Sequence, residues 1–452
     1  MKIVIVGCGK VGLTLVEYLL KDKHEITVVD KNAMRLKTAL SNYDVMTYVG
    51  DGTSYTTLNN AGITSADLLI AVMNSDEVNL LCAVIAKKAG NCKTIARVRN
   101  PVYTSELEFL KRELDISMIF NPELAAAIKI SRIFNFPSAD KIEVFSNRTV
   151  ELIHFRMKAE SKLCGVSLAD IRSKYRCNVL VCTVERGDEV IIPSGNFTLE
   201  ANDYVSIVGS RANTHEFFRT FGSGMRKVPD AMIVGGGKIG YYLAKSLIES
   251  GIKVKIIDNQ LQRCEELSEL LPEADIICGD GTDRSLILEE GLLDASGFAA
   301  LTSIDEENIL LSLYARKKLD NSKIITKINR INYEDVIEEM DLDTIVNPNV
   351  VSTELVVTFV RSMQYTMNSN IETYRALNDG NAEALEFAVK EGSKVVGIPL
   401  MGLKRKKNVL ISCIIRNGKV IIPGGQDTIE VGDNVIIIHT LDDINNLDDI
   451  LA

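Results

Sequence analysis

Two glycine-rich stretches carry the clearest chemistry in this sequence. IVIVGCGKVG lies at residues 3–12 and MIVGGGKIG at residues 232–240, so the spacing G-x-G-x-x-G occurs twice. In a turn of this kind, the first glycine allows the tight bend. The second lets backbone N–H groups approach a pyrophosphate, and the third lets helix and strand pack closely. The positive end of the helix dipole then faces the phosphates, so each stretch predicts a nucleotide cradle.

An acidic residue follows each glycine stretch at the end of the next apolar run. These residues are Asp30 in EITVVD and Asp258 in KVKIID. A carboxylate here accepts hydrogen bonds from both ribose hydroxyls and repels a 2′-phosphate. The pair favours NAD or another adenine nucleotide over NADP. The alternative interpretation is that one or both turns are inherited packing without a ligand.

The tetrapeptide GDGT occurs at residues 50–53 and again at 279–282, after the third strand-like run of each half. We expect these residues to lie where an adenine ring meets backbone beyond the ribose. The alternative is structural, with Thr53 and Thr282 as helix N-caps and the aspartates as turn residues. Both interpretations can hold together.

Polar residues also end the fourth and fifth strand-like runs, where the switch-point crevice of an open parallel sheet is expected. Arg97 suits a bidentate grip on a phosphate, whereas its counterpart Lys327 offers only a point charge. A sheet-edge salt bridge is the alternative for Arg97. The acidic pairs Asp76/Glu77 and Asp305/Glu306 are interpreted as first-turn helix acids rather than catalysts.

The elements that must position these residues alternate between strand and helix. Strands are predicted at 2–6, 25–29, 45–49, 67–73, 94–98 and 116–120, with amphipathic helices such as 11–21 and 79–89 between them. This alternation predicts βαβ units and a doubly wound parallel sheet. From about residue 141 the pattern changes to short β-rich runs separated by turn residues, which predicts a small α+β lobe.

The whole arrangement occurs twice. Gly235 lies 228 residues after Gly7, and the second GDGT lies 229 residues after the first. A tandem duplication is the interpretation, with its seam near residues 221–230. The predicted domains are 1–125 and 228–352 for the parallel-sheet lobes and 140–224 and 369–452 for the α+β lobes.

Composition excludes several function classes. A net charge of −10 disfavours nucleic-acid binding, and nine scattered cysteines with four isolated histidines predict free thiols and no metal site. No run approaches the 18 or so apolar residues that span a bilayer, and the N-terminus lacks signal-peptide features. We therefore expect a cytoplasmic protein whose membrane role comes only through a partner.

Catalytic groups are not apparent beside the two cradles. The Y-x-x-x-K match at Tyr241/Lys245 lies in the cofactor helix itself, and the match at Tyr314/Lys318 has no first-half counterpart. Both are interpreted as chance. A dehydrogenase needs a proton donor or nucleophile placed against the nicotinamide. The prediction is a non-enzyme, and an NAD-dependent oxidoreductase remains the alternative.

These motifs together resemble one known family. GCGKVG, the strand-end aspartate, GDGT, SDEVN and ARVRN resemble the N-lobe of RCK (KTN) domains, which are Rossmann-like, and IIPSG with LEANDYVSIVG resembles their C-lobe. The resemblance covers essentially the whole chain as two N-lobe/C-lobe units.

Together, motifs and resemblance predict nucleotide contacts in both halves. Those of the first half are Gly7, Cys8, Gly9, Lys10, Val11, Gly12, Asp30, Asp51, Gly52, Thr53, Met73, Asn74 and Arg97. Those of the second half are Gly235, Gly236, Gly237, Lys238, Ile239, Gly240, Asp258, Asp280, Gly281, Thr282, Thr302 and Ser303.

The resemblance also implies a role and partners. Members of the family assemble as a ring beneath a Trk-type membrane potassium transporter, and NAD(H), ATP or ADP changes the shape of the ring. The expected function is a regulatory subunit of potassium uptake, as a homo-oligomer, most simply a tetramer. The helices after Pro122 and Pro348 fit crossover helices that join chains; ordinary core helices are the alternative. A nucleotide sensor of a different membrane protein is the other functional alternative.

Overall fold

The computed structural model describes most of the 452 residues. The exceptions are residues 105, 136–140, 146–148, 158, 160, 176, 188, 222–227, 321, 330–339, 341, 369–370, 378–380 and 441–443. The chain divides into two compact units. One consists of Met1–Phe134 and Val228–Val357, and the other of Asn135–Lys227 and Thr358–Ala452.

The first part of the chain forms a six-stranded parallel sheet in the order β3-β2-β1-β4-β5-β6. Its strands are β1 (Lys2–Val6), β2 (Glu25–Asp30), β3 (Met46–Val49), β4 (Leu68–Ala71), β5 (Lys93–Arg97) and β6 (Met118–Phe120). Its helices are α1 (Lys10–Lys21), α2 (Ala33–Asn42), α3 (Tyr55–Asn60), α4 (Asp76–Gly90), α5 (Pro101–Thr104), α6 (Leu107–Glu113) and α7 (Pro122–Asn135). All six predicted strands are present.

Burial explains why these segments become inner strands and surface helices. The four residues from Ile3 to Val6 are all buried, as a parallel sheet covered on both faces requires. Helix α1 buries Val11, Leu15 and Leu19, which recur at helical spacing and face the sheet. The continuous apolar run of β1 therefore corresponds to a strand buried on both faces, and the helical spacing in α1 corresponds to one buried face.

An antiparallel sheet of five strands follows, in the order β10-β9-β11-β8-β7. Its strands are β7 (Lys141–Phe145), β8 (Val150–Arg156), β9 (Leu180–Arg186), β10 (Glu189–Ile191) and β11 (Tyr204–Ser210), with helices α8 (Leu168–Tyr175) and α9 (Arg211–Phe221). This is the predicted α+β lobe. The sequence analysis gives no bounds for the individual strands and helices of this lobe.

The second parallel sheet repeats the first, in the order β14-β13-β12-β15-β16-β17. Its strands are β12 (Asp230–Val234), β13 (Lys253–Asp258), β14 (Asp275–Cys278), β15 (Gly297–Ala300), β16 (Lys323–Lys327) and β17 (Thr344–Val346). Its helices are α10 (Lys238–Glu249), α11 (Leu261–Leu270), α12 (Arg284–Glu289), α13 (Asp305–Lys318) and α14 (Pro348–Asn368).

The second antiparallel sheet has the order β18-β19-β22-β20-β21. Its strands are β18 (Ile371–Leu377), β19 (Ala382–Ala388), β20 (Val409–Arg416), β21 (Lys419–Ile421) and β22 (Asn434–His439). This sheet and the first antiparallel sheet share a core in which Phe145 and Cys182 lie with Cys413 and Ile436. The fold class predicted from the sequence, two α/β lobes each followed by an α+β lobe, is confirmed.

Helix α7 joins the two parallel-sheet lobes within one unit. Ala126, Ile130 and Phe134 are fully buried in the same core as residues of α10 and β12 from the second half. The sequence analysis interprets α7 as a crossover helix that joins chains. That assignment is wrong for these residues, because the chain's own second half covers them.

Two polar contacts reinforce this junction. Ser131 Oγ lies 2.8 Å from Ser246 Oγ, and the Asn121 side-chain amide donates to the Tyr242 hydroxyl at 3.2 Å. Both partners in the second half belong to α10, the helix that begins at the second glycine turn. The two cradles are therefore parts of one packed body.

Candidate nucleotide site

The three glycines of the first turn have separate structural requirements. Gly7 has φ +112°, and a side chain there would lie 2.9 Å from the Val72 carbonyl carbon. A Cβ at Gly12 would lie 2.0 Å from Gly7 O, so helix α1 packs directly on the turn. At Gly9, by contrast, an added Cβ meets nothing within 4 Å. The turn is therefore closed toward the protein and open at the position expected to face a pyrophosphate.

The second turn reproduces this arrangement. Gly235 has φ +109°, a Cβ at Gly240 would lie 2.2 Å from Gly235 O, and Gly237 is open. The middle position differs, because Gly236 replaces Cys8. A side chain at Gly236 would lie 2.5 Å from Leu267 Cδ1, whereas Cys8 is buried and its thiol donates to Arg35 O at 3.4 Å.

The strand-end aspartates brace the two turns. Asp30 Oδ2 accepts from the Cys8 N–H at 2.7 Å, and Asp258 Oδ2 accepts from the Gly236 N–H at 2.7 Å. The other carboxylate oxygen accepts a backbone N–H two residues onward, at 2.8 Å in the first half and 3.0 Å in the second. Each carboxylate oxygen keeps lone-pair capacity for a ribose hydroxyl. The acid is thus held at the rim of its cradle before any ligand arrives.

The GDGT loops lie against the same strands that lead into the glycine turns. A Cβ at Gly52 would meet Val6 Cγ1 at 2.2 Å, and one at Gly281 would meet Val234 Cγ1 at 2.3 Å. The fold thus brings GDGT beside the cradle in both halves.

Inside the loops, the aspartates are turn residues. Asp51 Oδ1 accepts from the Thr53 N–H at 3.0 Å and from its hydroxyl at 2.9 Å, and Asp280 repeats both bonds to Thr282 at 2.8 Å. The N-cap prediction for the threonines is wrong. The caps are the next residues, Ser54 and Asp283, whose side chains accept helix N–H groups.

Asp51 is also paired with a lysine that the second half lacks. Lys31 Nζ lies 3.0 Å from Asp51 Oδ2, and the corresponding residue after Asp258 is Asn259. The Thr53 N–H and the Lys31 ammonium hold the pKa of Asp51 below its usual range. The rim of the first cradle therefore carries a fixed ion pair.

Two buried asparagines organise the ends of the fourth and fifth strands, and the sequence analysis missed them. Asn79 accepts from the Met73 N–H at 2.7 Å and donates to Met73 O and Arg97 O at 3.0 and 2.9 Å. Asn308 makes the same three bonds to Thr302 and Lys327. Both recur in the repeated SDEVN and IDEEN motifs, which was the available signal.

Arg97 lies at this strand end, as predicted, but its contacts are to backbone. Its Nη2 donates to Met73 O at 2.6 Å, and burial, followed by the nearby Arg99 charge, lowers the pKa of Arg97. Within the described residues it forms no ion pair, and its buried Nε has no hydrogen-bond partner. The guanidinium thus retains donors beside Met73, at the predicted crevice.

Lys327 is placed differently from Arg97. Its Nζ donates to Leu301 O at 3.3 Å, and burial lowers its pKa. Leu301 precedes Thr302, the counterpart of Met73, so the lysine ends one residue earlier along the strand. The two halves therefore present different cations, with different backbone partners, at corresponding strand ends.

The acidic pairs are first-turn helix residues, as predicted. Asp76 Oδ2 accepts from the Arg99 and Asn100 N–H groups at 2.9 and 2.8 Å, which fixes the loop after β5. Arg99 continues this network through an ion pair with Glu123 at the start of α7. Asp305 likewise accepts from the Asn329 N–H at 3.0 Å, so one acid of each pair is engaged in fixing the loop after the fifth strand.

The remaining predicted contacts are spread over both turns. Lys10, Asn74, Lys238 and Ser303 are exposed, while Val11 and Ile239 are buried in the first turns of their helices. Among the described residues, no group of three His, Cys, Asp or Glu side chains could hold a metal ion. In that same part of the chain, no helix has the length and apolarity to cross a membrane.

Comparison with known proteins identifies the family. The TrkA-N domain model matches residues 3–122 and 231–348, and the TrkA-C domain model matches residues 152–222 and 384–452. The Trk system potassium uptake protein TrkA homolog 1 of Methanosarcina mazei is 34% identical over 445 residues, 97% of either chain. The chain belongs to the TrkA family. A TrkA homolog of Archaeoglobus fulgidus is 31% identical over 450 residues, the full length of both chains.

Solved structures agree on the fold of this TrkA family member. The crystal structure of the GsuK RCK domain superposes with a TM-score of 0.65 at 18% identity, over 97% of this chain and 92% of that one. The GsuK channel bound to NAD gives a TM-score of 0.66 at 17% identity, over 97% and 76%. The RCK architecture expected from the motifs is therefore confirmed.

Proposed function

We propose that this protein is the nucleotide-binding regulatory subunit of a Trk-type potassium-uptake system. It binds NAD(H), ATP or ADP without converting them, and the bound ligand controls a membrane-embedded potassium transporter from the cytoplasmic side. The observation that carries the proposal is the open approach at Gly9 and Gly237, each flanked by a carboxylate already fixed at the rim. Membership of the TrkA family supports the potassium role.

The ligand follows from the chemistry of the rim. Asp30 and Asp258 suit the two hydroxyls of an unmodified ribose and oppose a 2′-phosphate. Backbone N–H groups and the N-terminus of α1 or α10 suit the phosphates.

Regulation requires a difference in affinity between two states of an assembly. A nucleotide can shift such an equilibrium only by its differential binding, typically about 1–3 kcal/mol. We propose a homo-oligomeric ring, most simply a tetramer. Because the chain's own second half covers the buried face of α7, contacts between chains must use other surfaces. Light scattering at micromolar concentration should give a multiple of the chain mass.

Calorimetric titration of the full-length protein with NADH, NAD, ATP and ADP tests the ligand, with NADPH as the control. Saturable binding of at least one of the four, and much weaker binding of NADPH, is expected. Potassium flux into vesicles containing a Trk-type transporter should then change when protein and nucleotide are added. Steady oxidation of NADH in the presence of a metabolite would instead establish an oxidoreductase. A potassium flux that is the same with and without the protein would overturn the transport role.

A further inference from the structure

Two cysteines lie side by side at the rim of the second cradle. Cys264 is buried in α11, and its thiol donates to Asp258 O at 3.3 Å and to Ile277 O at 3.9 Å. Ile277 directly precedes Cys278, and Cys278 is paired in register with Asp258 across β13 and β14. The Cys264 sulfur is thus held against the strand position that carries Cys278, and Cys278 is exposed.

We propose that Cys264 and Cys278 are a modification site, at which a peroxide forms a reversible disulfide that alters the second nucleotide cradle. The coupling to the cradle rests on the proposed nucleotide-binding function. The disulfide itself does not.

The accessible thiol reacts first. The Cys278 thiolate attacks one oxygen of hydrogen peroxide, so an S–O bond forms, the O–O bond breaks and hydroxide leaves to become water. The Cys264 sulfur then attacks the Cys278 sulfenic acid, the S–S bond forms and the S–O bond breaks. The Cys264 proton leaves with that oxygen as a second water, so two thiols and one peroxide give one disulfide and two waters.

The environments of the two thiols fit this order. Burial, with Cys278 and Asp258 as further causes, raises the pKa of Cys264 to about 11. Cys264 therefore keeps its proton near neutral pH and serves as the resolving thiol, while Cys278 meets the oxidant at the surface. A thiol is weakly nucleophilic until deprotonated, so loss of the Cys264 proton accompanies closure of the S–S bond.

Two other neighbouring thiol pairs in the chain provide internal controls. Cys82 lies near Cys92, and Cys182 lies near Cys413, but all four are buried. Burial raises the pKa of Cys82 and of Cys413 to about 12. Neither pair offers a peroxide an exposed thiol, so oxidation of the native protein should select Cys278.

The link to the cradle runs through the start of α11. Arg263, next to Cys264, donates from Nε to Gly236 O at 2.8 Å. Cys264 itself bonds to the carbonyl of the ribose aspartate Asp258. A disulfide that draws Cys264 toward β14 therefore moves two contacts that hold the glycine turn and its acid.

The first half lacks this pair of cysteines. The residues corresponding to Cys264 and Cys278 are Leu36 and Val49, 228 and 229 positions earlier. Leu36 is buried and Val49 is exposed, as the two cysteines are. The substitutions Cys264→Leu and Cys278→Val thus copy side chains that the fold already accepts at these places.

Peptide mapping tests the modification on the full-length protein. Both cysteines lie on one tryptic peptide, residues 264–284, which contains no other cysteine. After treatment with hydrogen peroxide and alkylation under denaturing conditions, this peptide should lack two hydrogens and carry no alkyl group. Dithiothreitol should restore two alkylation sites. Two alkylated thiols after oxidation, or an oxygenated Cys278 beside an alkylated Cys264, would overturn the disulfide.

Nucleotide titration tests the coupling. In a Gly9→Leu background that leaves only the second cradle, oxidation should change the Kd for NADH by about fivefold or more, reversibly. The Cys264→Leu/Cys278→Val variant should bind NADH and ignore peroxide. Equal Kd values for oxidised and reduced protein would overturn the coupling. Failure of the reduced protein to bind any adenine nucleotide would count against the proposed function, while the peptide assay would still decide the disulfide.

Discussion

The first and second cradles share their backbone but differ in the side chains around it. In both, the first and third glycines of the motif are closely packed, the second is open, and an aspartate accepts a hydrogen bond from a backbone N–H group of the turn. Around that common frame, the first half places Cys8, Arg97 and a Lys31–Asp51 ion pair, and the second places Gly236, Lys327 and a thiol pair. The backbone frame proposed to recognise adenosine is therefore duplicated, while the side chains around it have diverged.

Blocking one cradle at a time should have the largest effect on nucleotide binding. Gly9→Leu and Gly237→Leu each place a side chain where nothing lies within 4 Å, and neither glycine has a positive φ. The fold should therefore persist while the pyrophosphate approach is lost. Calorimetry should show that each variant loses one class of nucleotide site and the double variant loses both.

The control for this experiment is the melting profile, which should match that of the unmodified protein. If the double variant still bound nucleotide at full stoichiometry, the glycine turns would not be the nucleotide-binding site.

Substitution of either buried asparagine should destabilise the two halves to the same extent. Asn79→Ala and Asn308→Ala each remove three hydrogen bonds and leave buried backbone groups unpaired. At about 1 kcal/mol per bond, each should lower the free energy of unfolding by roughly 2–4 kcal/mol. Urea unfolding measures the loss.

The exposed Asn59→Ala is the matched control and should stay within about 0.5 kcal/mol. A loss below that level in either buried variant would show that these bonds do not hold the strand ends.

Arg97 and Lys327 should give the two cradles different nucleotide affinities. Arg97 retains guanidinium donors beyond its bond to Met73 O, whereas Lys327 offers a single ammonium. We expect the first cradle to bind more tightly by about 1–2 kcal/mol, or roughly five- to thirtyfold in Kd. In a Gly237→Leu background, Arg97→Lys should remove most of that advantage.

Lys327→Ala, in a Gly9→Leu background, should change the affinity of the second cradle less than Arg97→Ala changes that of the first. Equal affinities of the two cradles, or an Arg97→Lys variant that binds as before, would contradict the asymmetry. All these titrations require the full chain, because α7 is buried in the core of the second half and isolated halves would expose that face.

The smallest expected effect concerns the ion pair at the first rim. Backbone and lysine contacts lower the pKa of Asp51, so its contribution to stability is present above the unfolded value near 4 and is lost as pH falls through the lower folded value. Lys31→Met should raise the pKa of Asp51, as measured by carboxyl NMR titration. The pair is exposed, so the stability change should stay below about 0.5 kcal/mol. An unchanged pKa of Asp51 in this variant would show that Lys31 does not stabilise the Asp51 carboxylate.

Periodicity and repetition predicted most of the fold, because buried parallel strands read as continuous apolar runs and the repeat doubled every signal. The sequence also placed Arg97 at the right strand end. It could not reveal that Asn79 binds backbone on two strands, since an asparagine in the first turn of a helix is equally compatible with a solvated position. The cap position was one residue off because Thr53 and Ser54 are both good N-caps, and the Asp51 turn decides between them.

Helix α7 shows the same limit on a larger scale. The sequence predicts an apolar face on α7 but does not predict what packs against it. The second half of the same chain and a second chain present similar surfaces. The packing of Ile130 and Phe134 among residues of α10 and β12 distinguishes the two, together with the polar contacts to α10.

The side chains that form the polar contacts between α7 and α10 are not repeated at the corresponding positions of the other half. Asn121 bonds to Tyr242 and Ser131 to Ser246, but the mirror positions pair Asn347 with Thr14 and Val357 with Tyr18. A dimer of identical chains must use one self-complementary patch, so each substitution appears twice. Covalent fusion has lifted that constraint here, and each half is free to acquire changes that the other does not share. A single mutation can then change one cradle and leave its neighbour as it was, a freedom that no symmetric assembly of half-length chains possesses.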